Sequence, residues 1–121
     1  MATEELVKSL GHHGHWGFSQ SFDWLEALAH TNQPESNDPV NILLVSPGDV
    51  RHIIHSIAHR RRHGQLGKRP IHFYLFEQTQ QVLARNLLLM EILADFEVPI
   101  RQRASVFLEV FGNVFVQPRT E

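Results

Sequence analysis

The feature that most limits what this chain can fold into is a pair of apolar, β-rich runs, "VNILLVSPGD" from Val40 and "PIHFYLFE" from Pro70, with one amphipathic segment between them. The first run ends in Ser-Pro-Gly-Asp, which is turn chemistry, and the second ends at an acid, Glu77. Between them "DVRHIIHSIAHRRRH" sets Val50, Ile53, Ile54, Ile57 and Ala58 on one helical face. Arg51, His52, His55, His59 and Arg62 fall on the other. Strands joined through a helix cannot close as a hairpin, so the simplest topology is a right-handed βαβ unit with a parallel pair. Asp49 is placed to cap the helix, "GQLGK" ends it, and Pro70 suits the edge of the second strand.

The flanks fill out an α/β arrangement. Residues 1–39 read as an N-terminal arm, with "GHHGHWGFS" rich in glycine and histidine and "HTNQPESNDP" dense in turn formers. Within the arm, "FDWLEALAH" spaces Phe22, Trp24, Leu25 and Leu28 for a short amphipathic helix, with Ser21 as its expected cap. Residues 40–121 read as the domain. After Glu77, "TQQVLARNLLLMEILADFE" carries Val82, Leu83, Leu87, Met90, Ile92, Leu93 and Phe96, which predicts a largely buried helix. "VPIRQRASVFLEVFGN" predicts another, with Pro99 near its start, Phe107, Leu108 and Phe111 facing inward, and Gly112-Asn113 near its end. Two strands and about three helices make half of an open doubly wound sheet, because a parallel pair needs cover on both faces and neighbours at its edges. The expected fold is therefore the amino-terminal part of such a sheet, incomplete at the C-terminus.

At 121 residues the chain buries a modest core, and a hydrophobic share of 42% excludes wholesale disorder. A formal net charge of -2 gives no general attraction to nucleic acid or anionic membrane. No apolar run approaches the roughly 18 residues of a membrane span. The absence of cysteine removes disulfides, thiolate zinc sites and cysteine nucleophiles together, and it fits a reducing compartment.

Three groups of residues are candidates for chemistry. Gly48, Asp49 and Glu77 stand where a strand, a glycine turn, a helix and a second strand ending in an acid would form a dinucleotide or S-adenosylmethionine pocket. The fingerprint is incomplete, since one glycine stands where three are wanted and Pro47 removes a backbone donor, so no cofactor is committed. The plain reading is that Asp49 caps a helix and Glu77 ends a strand. His52, His55, His59 and His63, spaced by three and four, share a helical face suited to zinc. No acid of the zinc-protease type stands beside them, and Arg60, Arg61 and Arg62 repel cations, so a solvated polar stripe is favoured and no metal is committed. The basic run "HRRRHGQLGKR" lacks aromatic platforms and a helix-turn-helix, which disfavours nucleic acid as a partner. No Ser-His-Asp spacing, P-loop or glycosidase-like acid pair stands out, and no catalytic residue is assigned.

Three blocks, "VNILLVSPGDVRHIIHSI", "RPIHFYLFEQTQQVLARNLLLMEIL" and "RQRASVFLEVFGN", resemble the amino-terminal region of the dynein axonemal assembly factor 3 family, whose domain has no known function. Upstream, "HWGFSQSFD" is similar to a short tryptophan-glycine segment of that family. The resemblance implies a partial Rossmann-like, methyltransferase-like open sheet, in a chain that stops where family members continue. It implies a cytoplasmic, non-enzymatic factor for preassembly of axonemal dynein arms. Axonemal dynein chains, chaperones and other dynein assembly factors would be its partners, with no membrane involved. The alternative it implies is a S-adenosylmethionine-dependent methyltransferase or a degenerate relative using the Gly48/Glu77 pocket.

Overall fold

The computed structural model describes residues 17, 19–31 and 36–112. The "GHHGHW" histidines and Asn113 lie outside that set. The chain divides into two compact units, Met1–Val82 and Leu83–Glu121. The fold is α/β: among the described residues there are four helices and an open, two-stranded parallel sheet. The elements are α1 (Trp24–Ala29), β1 (Val40–Val45), α2 (Arg51–His59), β2 (Ile71–Phe76), α3 (Gln80–Ala94) and α4 (Ile100–Gly112).

The two β-rich runs pair in parallel with Val40 opposite Ile71 and Val45 opposite Phe76, and α2 supplies the crossover. Pro70, which has no N–H to give, accepts from the Val40 amide at 2.7 Å just before β2 begins. Alternation along the strands then decides the faces. Val40, Ile42 and Leu44 are buried and, with Leu25, Val50, Ile53 and Val82, make the core of the first unit. Each such aliphatic side chain contributes about 1.5–3 kcal/mol on full burial, so a core of this size is modest.

The opposite face of the sheet is exposed, polar at the Asn41–His72 end and apolar toward the carboxyl ends of the strands. Leu43 pairs with Tyr74 and Val45 with Phe76, and the four are 65%, 53%, 65% and 61% exposed respectively. Parallel sheets are ordinarily covered on both faces, so this patch departs from the rule.

The turn after β1 is tight. Ser46 and Gly48 both have positive φ, 50° and 76°, and the Ser46 amide donates to the Phe76 carbonyl at 2.7 Å, carrying the ladder one step past the strand. Any side chain at Gly48 meets the left-handed penalty, so Gly48→Ala should lose about 1–2 kcal/mol of stability. A urea midpoint equal to that of the unchanged protein would contradict the assigned backbone conformation.

In α2, Val50 and Ile53 are buried as the pattern predicts, but Ile57 and Ala58 are exposed while Ser56 is fully buried. The expected apolar face is thus rotated, because α2 is covered from a second side by residues 19–24, which grip its polar positions. The helix N-cap is Val50, and Asp49 acts from one residue further out, its Oδ1 accepting the Arg51 amide at 3.0 Å.

The long helix α3 is present where its leucines indicate, but it is not largely buried. Val82, Asn86 and Leu89 form a buried stripe at helical spacing, whereas Leu87, Leu88 and, beyond the helix, Phe96 are exposed. Cover on one stripe hides three or four positions per two turns, and the remaining leucines face outward. In the second unit a turn at Asp95–Val98 leads to Pro99, whose carbonyl accepts the Gln102 and Arg103 amides as α4 begins. The Arg103 guanidinium reaches the Leu93 carbonyl and lies over the Phe96 ring, 4.9 Å from its centroid. Arg85 donates to the Phe111 carbonyl at 2.6 Å, and Phe107 stacks on Phe111 with ring centroids 5.7 Å apart. Leu108, expected inward, is exposed, because it lies off the face that Phe107 and Phe111 share.

Candidate functional site

The polar positions of α2 hold residues 19–24 by a ladder of hydrogen bonds. The Phe22 amide donates to His52 Nδ1 at 3.0 Å, and Ser21 Oγ shares a 2.6 Å hydrogen bond with His55 Nδ1. The Trp24 amide donates to Ser56 Oγ at 3.0 Å, and that hydroxyl passes its own proton to the His52 carbonyl at 2.8 Å. Ser56 is buried because it relays one backbone to another. The histidine face expected to be solvated is therefore a docking face, and a correction follows for its neighbour: α1 is capped by Asp23 and not by Ser21.

Asp23 is the centre of this arrangement. Its Oδ1 accepts the Leu25 amide at 3.0 Å and the Glu26 amide at 3.4 Å, which a residue two positions earlier cannot reach. Its Oδ2 accepts from His63 Nε2 at 2.8 Å and lies 3.6 Å from His59 Nδ1. Burial pushes the Asp23 carboxyl up, but the His63 hydrogen bond and the two amides, with the charge of His63, outweigh it and hold the group below its ordinary range. The rings of His55 and His59 meet edge to face, 4.2 Å apart.

His52 titrates in the opposite sense to a paired histidine. Burial first, then the charge of Arg51, holds its imidazole below the usual range, with His55 adding to them and Asp49 pulling the other way. Its Nδ1 accepts an amide proton and so must be unprotonated. The folded state thus prefers the neutral ring, and the stabilisation is whole above about pH 6.5 and lost as pH falls from there through the folded value. Acidification to about pH 5 should lower the exchange protection of the Phe22 amide, corrected for the intrinsic pH dependence of exchange. Protection that stays constant, or rises, would remove His52 as the acceptor.

A second knot ties the same segment to the turn after β1. The Gly17 amide donates to Asp49 Oδ2 at 2.7 Å, and Arg51 Nη1 pairs with the same oxygen at 2.5 Å. Arg51 also donates from Nε to the Ser19 carbonyl at 3.0 Å and from Nη2 to Ser19 Oγ at 2.8 Å. A Cβ at residue 17 would overlap the Arg51 guanidinium as it is placed, so a larger residue there would displace that side chain.

Gly48 and Glu77, 29 residues apart, are brought together: the Gly48 amide donates to Glu77 Oε1 at 3.1 Å. Asp49 is 1% exposed and turned toward Gly17 and Arg51 rather than toward Glu77. The fold therefore gathers Gly48 and Glu77 at the carboxyl end of the sheet, where ligands of open α/β sheets bind, and closes the gap between them with an internal hydrogen bond. In the basic run, Arg60 is spent on the chain itself, donating to the Gly67 carbonyl at 2.5 Å and the Arg69 carbonyl at 2.9 Å. Arg61 and Arg62 are exposed. No helix among the described residues is long and apolar enough to cross a membrane.

The residues that the sequence did not single out are Gly17, Ser19, Asp23 and Ser56, while Ser21 stood out only as a helix cap. One local signal was available for Asp23: aspartate stands level with serine as an N-cap and lies directly before the first helical residue.

Comparison with known proteins places this geometry. A family model described as a domain of unknown function, DUF4470, matches residues 15–116, a span that takes in the docked segment as well as the βαβ unit. The protein named dynein axonemal assembly factor 3 of Danio rerio is 34% identical over 108 residues, covering 88% of this chain and 22% of its own length. The homologue in Chlamydomonas reinhardtii is 32% identical over 117 residues, covering 88% of this chain and 16% of its own length. The Bos taurus protein of the same name is 31% identical over 112 residues, 85% of this chain and 20% of its own. The chain thus spans about a fifth of the length of these relatives. No solved structure matches significantly. The chain belongs to the DUF4470 family, and most of its length aligns with the proteins named dynein axonemal assembly factor 3.

Proposed function

We propose that the protein carrying this chain is a cytoplasmic, non-enzymatic factor for the preassembly of axonemal dynein arms. Its partners would be axonemal dynein chains, chaperones and other dynein assembly factors. The observation that carries this reading is the alignment of nearly nine-tenths of the chain with proteins named for that task. One structural feature supports protein contact: Leu43, Val45, Tyr74 and Phe76 lie exposed on one face of the sheet. An exposed patch of that kind is ordinarily an interaction surface.

Replacing Leu43, Val45, Tyr74 and Phe76 together by serine in the full protein should abolish its co-precipitation with axonemal dynein chains while the protein remains folded by circular dichroism. Undiminished co-precipitation would move the contact elsewhere and overturn the role given to this face.

The juxtaposition of Gly48 and Glu77 supports one other reading, S-adenosylmethionine binding by a methyltransferase or a degenerate relative. Calorimetric titration with S-adenosylmethionine separates the two: saturable binding that disappears in Glu77→Ala favours the enzyme, and no heat of binding favours the assembly factor.

A further inference from the structure

We infer that Asp23, His55 and His59 form a zinc-type divalent metal site that bolts residues 19–31 to α2. One ligand atom from each of the three lies within 4.8 Å of the other two. Seen along the sequence, the histidines lack an acid. In the folded chain the acid comes from 32 residues before His55, where the N-cap of α1 is pressed against the last turn of α2. The other objection, repulsion by the arginine run, is met for its first member, because the Arg60 guanidinium is turned onto the Gly67 and Arg69 carbonyls.

The donor set is the one zinc takes: two imidazoles and a carboxylate, with a fourth position for water. The supporting contacts have the pattern expected around metal ligands. Ser21 Oγ lies 2.6 Å from Nδ1 of His55, and with Nε2 on the metal that ring would donate its Nδ1–H to the hydroxyl. His63 donates Nε2–H to Asp23 Oδ2, orienting the carboxylate while leaving it further acceptor capacity. His59 already turns Nδ1 toward the same oxygen at 3.6 Å. Ligand atoms around tetrahedral zinc stand roughly 3.4 Å apart, given bonds of about 2.0–2.1 Å, so the three close by about an ångström on binding. His52 is not a ligand, because its Nδ1 is taken by the Phe22 amide. The site needs no particular partner protein, and it neither requires nor supports a role in dynein assembly.

The test is titration of the 121-residue chain with zinc chloride in a calorimeter, with cobalt(II) absorption as a second readout of coordination. One equivalent should bind, with intense low-symmetry cobalt bands. His55→Gln and His59→Gln should abolish binding, and Ser21→Ala should weaken it about tenfold, the effect of losing a partner behind a ligand. His52→Gln should leave the affinity unchanged. Replacing His12, His13 and His15 together by alanine should also leave it unchanged, which separates this site from the "GHHGHW" histidines. Circular dichroism of the glutamine variants confirms that they fold. No binding by the folded chain would overturn the assignment. So would binding that survives in His55→Gln and His59→Gln, or binding that vanishes with His12, His13 and His15.

Discussion

Asp23→Ala should cost about 2–4 kcal/mol and release residues 19–31 from α2. The loss has two parts. The cap of α1 goes, worth about 1 kcal/mol, since the Leu25 and Glu26 amides lose their acceptor. The His63 imidazole, mostly enclosed, also loses the oxygen it donates to at 2.8 Å, and a buried donor without an acceptor costs about 1–3 kcal/mol. Asp23→Asn separates the parts, because an asparagine oxygen still caps while the charge toward His63 is gone, so its cost should be the smaller. Urea unfolding measures both, and exchange of the Leu25 and Glu26 amides shows whether α1 has frayed. A stability change within about 0.5 kcal/mol, the range of ordinary surface substitutions, would mean that Asp23 does not organise this segment.

Asp49→Ala should be at least as damaging, at about 3–5 kcal/mol. The carboxylate is 1% exposed and satisfies three donors: the Gly17 amide, the Arg51 amide and the Arg51 guanidinium. Removing it strands all three. The Arg51 side chain is 18% exposed, and its remaining bonds to Ser19 soften the loss, which places the result toward the lower end of the range. Thermal unfolding should drop by many degrees, and the Gly17 amide should lose its exchange protection. An unaltered melting temperature would show that the knot at the β1–α2 turn contributes nothing.

These two acids show where the sequence was readable and where it was not. The βαβ unit was legible because it is written locally: two β-rich runs of matching length, a turn with Pro-Gly, and a helix-period segment between them. The parallel sheet, the crossover helix and the extents of α3 and α4 follow from that kind of signal. The site was less legible because its contacts join residues 32 to 40 positions apart. Asp23 to His63, Ser21 to His55 and Gly17 to Asp49 have no periodicity to announce them. The histidines of α2 look like a solvent-facing stripe on a helical wheel, and only the docked backbone at Phe22 and Trp24 turns them inward. Burial of α3 was overestimated for a related reason. Leucine count sets how apolar a helix is, while the number of covered sides sets how much of it is hidden, and Leu87 and Leu88 fall on an uncovered side.

There is also a pattern in which stretches meet. "HWGFSQSFD" contributes Gly17, Ser19, Ser21 and Phe22, and these grip Asp49, Arg51, His52 and His55 in "VNILLVSPGDVRHIIHSI". Glu77, in "RPIHFYLFEQTQQVLARNLLLMEIL", closes on Gly48 of the same block. The upstream segment, the first block and the start of the second are thus the stretches whose contacts hold the first unit together, and those residues have a structural account that requires no ligand.

The most direct test of the account is electron microscopy of axonemes from ciliated cells of the source organism after deletion of the gene that encodes this protein. The account predicts axonemes that form but lack dynein arms, with arms restored when the unaltered gene is returned. Axonemes with a full set of arms after deletion would contradict it.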